Sequence, residues 1–96
     1  MKVIYSPRAI RDLTAIAAYY RAVANPRIAV AIGRRIEHVI NRVAEYPESA
    51  PRLAGRRAVR VALVLSYPYK IFYRVRREHI EIVHIRHTAR RPWRGS

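Results

Sequence analysis

Two clusters of arginine stand out as groups able to do chemistry: Arg52, Arg56, Arg57 and Arg60 fall within nine residues, and Arg86, Arg90, Arg91 and Arg94 within another nine. A guanidinium grips carboxylate or phosphate bidentately, so Arg60, Arg74, Arg86 and Arg90 suit either an acidic protein segment or nucleic acid. Metal-free cleavage of RNA would need more: a base for the 2′-hydroxyl, cations for the pentacoordinate phosphate and an acid for the leaving oxygen. His87 is the best single acid or base, because an unperturbed imidazole titrates near about pH 6.5. The commoner role of a histidine so placed is to close the last strand by hydrogen bonding to backbone or to a neighbour. His84 lies three residues earlier, on the opposite face of an unbroken strand, and only a bulge would let the two share a site. His79, His84 and His87 have no accompanying Cys and no HExxH helix, so no metal is expected. The six carboxylates are scattered, the three glycines form no phosphate loop, and no cofactor is expected.

The elements that must position these groups follow from spacing. Lys2 to Ser6 alternates as a short strand, and Ser6-Pro7 supplies a capping side chain with proline in the first helical turn. Ile10, Leu13, Ile16/Ala17, Tyr20 and Val23/Ala24 then recur at helical spacing, with Arg8, Arg11, Asp12 and Tyr19 off the stripe. Asn25-Pro26 repeats the capping device. A second helix carries Ile28/Ala29, Ile32, Ile36, Val39/Ile40 and Val43, and Pro47 ends it. The short link predicts an antiparallel helical hairpin, and a close helix crossing at Gly33 would offset that residue's cost. Glu48 to Gly55 has turn residues and no period, so it reads as a loop.

From residue 58 the period is two. Val59, Val61, Leu63 and Leu65 alternate with Ala58, Arg60, Ala62 and Val64. Tyr67, Tyr69, Ile71, Tyr73 and Val75 form one face of the next strand, the face under the helices. A third run, 80–87, places Val83, Ile85 and His87 opposite Ile82, His84 and Arg86, with Arg77-Glu78 at the hairpin tip. The expected fold is α+β: a helical hairpin packed on a mainly antiparallel four-stranded sheet, in the order β-α-α-β-β-β. The uncovered sheet face would gather Arg60, Lys70, Arg74 and His84 or Arg86 into a concave basic surface.

Composition bounds the class. Twenty Lys and Arg against six Asp and Glu give a formal net charge of +14, in a 96-residue chain that is 51% hydrophobic. That apolar content excludes a disordered polycation. The length fits one domain, 1–96, with 88–96 as a basic tail. No apolar run approaches the roughly 20 residues that span a bilayer, and the N-terminus lacks the pattern of a signal peptide, so a soluble cytoplasmic protein is expected. No helix-turn-helix, zinc finger or RNP-type sequence is present, which argues against sequence-specific DNA binding by this chain.

YSPRAIRDLTAIAAYY, RVAEYPESAPRLAG, YPYKIFYRV and HTARRPW resemble the ParE/RelE superfamily of toxins from type II toxin–antitoxin modules, across essentially the whole chain. The last two segments look more like the ParE branch. The resemblance implies the fold derived above and a cognate ParD-like or RelB-like antitoxin. The favoured implication is inhibition of DNA gyrase, a binding function with no catalysis; the alternative is a RelE-like, ribosome-dependent mRNA endoribonuclease. Carried over by motif, the ribonuclease residues would be Arg57, Arg60, His87 and Arg90, with Trp93 where RelE-like enzymes tend to have Tyr. Indole cannot ionise to act as a base. Target binding would fall to Arg86, Arg90, Arg91, Trp93 and Arg94. Antitoxin binding would fall to Leu13, Ala17, Tyr20 and Ile28 for apolar anchors, with Arg60 and Arg74 for its acidic groups.

Overall fold

Both proline-headed helices begin where the capping signals place them. Ser6 is extended and its Oγ accepts the Ala9 N–H at 3.0 Å, opening α1 (Pro7–Val23). Asn25 Oδ1 accepts the Ile28 N–H at 3.0 Å, opening α2 (Pro26–Glu45). Proline at the first helical position gives up no N–H that the helix would use. The computed structural model describes residues 1–88 and, within them, every side chain but that of Arg57.

Around the hairpin stand β1 (Lys2–Tyr5), β2 (Arg52–Leu53), β3 (Arg56–Val64), β4 (Tyr69–Val75) and β5 (His79–His87). They form one sheet in the order β1-β5-β4-β3-β2, antiparallel except that β1 runs parallel to β5. Five strands replace the four expected. The additional one, β2, lies inside the segment read as a loop: Arg52 pairs with Arg60 and Leu53 with Arg56, with a register irregularity between them. A strand of two residues has no alternation to read.

The core lies between α2 and the sheet. Ile32, Ile36, Ile40 and Val43 on α2 meet Ala62, Val64, Tyr69, Ile71, Tyr73, Ile80, Ile82 and Ile85, all buried in one cluster. Each fully buried branched side chain contributes about 1.5–3 kcal/mol relative to exposure. Tyr67 and Val75 pack against the same cluster, so the helix-facing row of β4 is the expected one. On α1 only Ala9 is fully buried, and Leu13, Ile16 and Tyr20 follow it at helical spacing along the core. Among the described residues no helix is long and apolar enough to cross a membrane.

Two expectations need correction. In β5, Tyr73 pairs with Ile82 but Phe72 pairs with His84, which leaves Val83 as a bulged extra residue. The bulge flips the alternation, so that Ile80, Ile82, Ile85 and His87 share the helix-facing side and His84 and Arg86 take the other. Ile82 and His84 therefore do not share a face as the simple period implied. Gly33 makes no close helix crossing: a Cβ built there meets nothing within 4 Å. Its penalty in an exposed helix interior stands unopposed. Gly33→Ala is expected to raise unfolding free energy by about 0.8–1 kcal/mol, measured by urea denaturation followed by circular dichroism.

Candidate functional site

β1 covers only part of the β5 edge, ending with Tyr5 opposite Ile82. The start of α1 takes over from there. Ser6 N–H donates to Ile82 O at 2.9 Å, and Ser6 Oγ–H to Val83 O at 2.8 Å. Asp12 Oδ2 then accepts the Ile85 N–H at 2.9 Å and lies 2.6 Å from His84 Nδ1. With a carboxylate as acceptor, the shared proton sits on Nδ1. His84 is 7% exposed and stacks on Phe72 with ring centroids 5.8 Å apart. Burial pushes its pKa below the usual 6.5; Asp12 opposes this, while Arg8 and Arg86 add to it. Burial in so cationic a setting prevails, and the imidazole is neutral.

Of the candidate ribonuclease residues, Arg60 and His87 do not converge. Arg60 pairs with Tyr73 on the helix side of the sheet and not on the open face. Its Nη1 donates to Ala50 O at 2.7 Å and Glu48 O at 3.3 Å, while Tyr73 Oη–H donates to Pro47 O at 2.8 Å. Arg60 thus ties down the 47–51 loop. His87 pairs with Tyr69, ring to ring at 5.5 Å, and the Tyr69 hydroxyl donates to that of Tyr20 at 3.2 Å. The β4 partners of Arg60 and His87 are four residues apart, about 13 Å along the strand, too far to grip one phosphate together. Because the bulge precedes His84, His84 and His87 still face opposite sides. The Arg57 side chain and Arg90 lie outside the described residues.

The open face is not one basic surface. Lys70 and Arg86 sit directly opposite each other at one end, and at the other Arg74 faces Glu81, with Nη1 to Oε1 at 3.7 Å and Arg76 also on Glu81 at 3.4 Å. Between them Val59, Phe72 and His84 are buried. Of the proposed target-binding set only Arg86 is described; Arg90, Arg91, Trp93 and Arg94 lie outside. Leu13 and Tyr20, named as antitoxin anchors, pack against the core, Ala17 is half-buried and Ile28 is 38% exposed. The more exposed apolar side chains of the hairpin are their neighbours Ile10, Tyr19, Val23 and Val30. Among the described residues no three His, Asp or Glu side chains gather as a metal site.

The family model for the ParE toxin of type II toxin–antitoxin systems, parDE, matches residues 3–92. The chain belongs to the ParE toxin family. A solved chain titled as the chromosomal ParDE toxin–antitoxin system from P. aeruginosa superposes with a TM-score of 0.79 at 23% identity. The match covers 91% of this chain and 95% of that one. At such identity the likeness establishes the ParE fold. No curated protein matches the chain.

In this ParE-family chain, sequence reasoning missed Asp12, which it placed only off the apolar stripe of α1. Its partners are 72 and 73 residues away, beyond any local signal. Asp12→Ala leaves the Ile85 N–H and His84 without their acceptor and is expected to cost about 1–3 kcal/mol in urea unfolding. The depressed His84 pKa means that the unfolded chain binds the extra proton first as pH falls. Stability is therefore complete above about pH 6.5 and declines as pH drops through the folded-state value. Denaturation midpoints between pH 7.5 and about 5 should show this slope, and His84→Gln should flatten it.

Proposed function

We propose that this chain is a gyrase poison held inactive by a cognate antitoxin. The family match over residues 3–92 carries the reading. Two features of the molecule support it over a RelE-like nuclease: the Arg60 guanidinium is engaged by loop carbonyls, and His84 and His87 face opposite sides of β5. The net charge of +14 supports an acidic antitoxin. A segment that folds on binding suits a toxin whose hairpin exposes Ile10, Tyr19, Val23 and Val30, since apolar anchors on a nascent helix would cover them. The site of action is the cytoplasm, where gyrase works.

Expression of the chain without antitoxin is expected to trigger a DNA-damage response and filamentation while messages stay intact. Purified protein should trap gyrase on cleaved DNA, read as linear plasmid after protease treatment. Messages cut in ribosomal A sites, with supercoiling unaffected, would transfer the chain to the nuclease branch. The basic segment 89–96 is proposed to contact the target. Its deletion, which keeps the Thr88 N–H to Pro68 O bond at 2.7 Å, should abolish growth inhibition while the shortened protein still folds and binds antitoxin. A folded, truncated chain that still arrests growth removes the segment from the target interface.

A further inference from the structure

The sheet face turned away from the helices holds a patch more buried than an open face allows. Val59 on β3, Phe72 on β4 and His84 on β5 are 1%, 3% and 7% exposed. Both helices pack on the other side of the sheet, and neither Val59 nor Phe72 belongs to the cluster there. Side chains on one sheet face stand side by side, so the half-buried Lys70, Arg74 and Arg86 flank the three without roofing them. Burial that deep on a sheet face calls for a second layer. Among the described residues no helix or strand lies over this face. The point at which the chain leaves the sheet is close by. The Thr88 N–H donates to Pro68 O at 2.7 Å, and 65–68 is a turn, so beyond Thr88 the end of β5 has no further strand partner in β4. Residues 89–96, outside the described residues, come next. Among them Trp93 is the one large apolar side chain, and it is the only tryptophan of the protein. Pro92 before it has no N–H with which to extend a ladder, and it holds Arg91 extended.

We propose that residues 89–96 turn back over this face and that the Trp93 indole roofs the Phe72–His84 stack and the neighbouring Val59. Reach permits it: the strand from Thr88 back to His84 measures about 13 Å, and the chain from Thr88 on to Trp93 spans up to about 17 Å. Size agrees, because an aromatic side chain buries about 150–250 Å², enough to cover a patch of three neighbours. Charge agrees as well. Arg74 and Arg86 stand at opposite ends of the patch, and an aromatic ring is an apolar group whose faces attract guanidinium. An apolar segment from a partner would have to displace a tethered one, present at high effective concentration. The tail of a second copy would bring another +14 alongside the first. Docking reassigns Trp93 from the target to the chain's own sheet. It leaves Arg90, Arg91 and Arg94 on a segment already ordered, which loses less freedom on meeting a partner. The inference concerns this chain alone and stands apart from the gyrase reading.

A single tryptophan makes the test direct, on the unaltered full chain without a partner. Its emission is expected to lie well to the blue of the urea-unfolded chain, and acrylamide should quench it severalfold less. Both properties should persist on dilution. Nuclear Overhauser cross-peaks should join the indole protons to the Phe72 ring and the Val59 methyl groups. Trp93→Ala should lower the urea midpoint, and Trp93→Phe should recover part of the loss, since a smaller ring covers less of the same patch. The proposal is overturned if the native tryptophan is quenched as readily as in the unfolded chain, or if its cross-peaks run to the helices and not to Phe72. Shielding that is lost on dilution would assign the patch to the tail of a second copy, and shielding that arises only in a complex would assign it to a partner; either result overturns the proposal. The fluorescence and cross-peak measurements need no substitution, so they decide the matter even if a variant fails to fold.

Discussion

What β5 does after β1 has ended governs the arrangement of the whole molecule. Its main-chain groups would be an open edge at the centre of the fold, and a buried unpaired N–H costs as much as several good contacts supply. The first turns of α1 solve this with Ser6 and Asp12, side chains standing in for a missing strand. Their bonds to Ile82, Val83, His84 and Ile85 fix where α1 lies, and therefore where the hairpin sits over the sheet. The bulge at Val83 belongs to the same arrangement. It allows Ile82 and Ile85 to enter the core together and turns His84 to the other side.

Charge is divided between structural and exposed uses. Arg60 satisfies two loop carbonyls, Arg74 and Arg76 share Glu81, and Arg35 holds Leu65 O. The surface ion pairs are worth little, about 0–1 kcal/mol each, and do not neutralise a net +14. Self-repulsion on that scale works against the compact state. An acidic partner that relieves it would stabilise the fold by mass action as well as by contact. Binding of such a partner would thereby be coupled to stability through the chain's excess positive charge.

Much of the architecture was legible because it is locally encoded. Ser6-Pro7 and Asn25-Pro26 carry their capping chemistry in adjacent residues, α2 has one apolar stripe, and Tyr69, Ile71 and Tyr73 alternate with Lys70, Phe72 and Arg74. β3 was ambiguous: both of its rows are mostly apolar, so alternation alone does not say that Arg60, Ala62 and Val64 face the helices. β2 was too short to show a period. The Val83 bulge and the role of Asp12 depend on pairing across more than 70 residues. The resemblance located the family, and residues 3–92 match it. The candidate site was less legible, since a charge cluster in sequence does not distinguish Arg60, engaged inside the fold, from Lys70 and Arg86, which line an open groove.

The stretch of β3 beyond Arg60, which β2 does not cover, also bears on how these molecules behave when crowded together. Leu63 and, just past the strand, Leu65 are 59% and 66% exposed, Leu65 the most exposed of the large apolar residues described. Exposed strand edges ordinarily invite like molecules to stack side by side into fibrils. Here the rim is cationic, with Arg35, Arg42, Arg52, Lys70 and Arg86, so an approaching twin meets repulsion before its backbone comes within bonding distance. The chain can keep an adhesive border without polymerising, because sign of charge screens out its own kind.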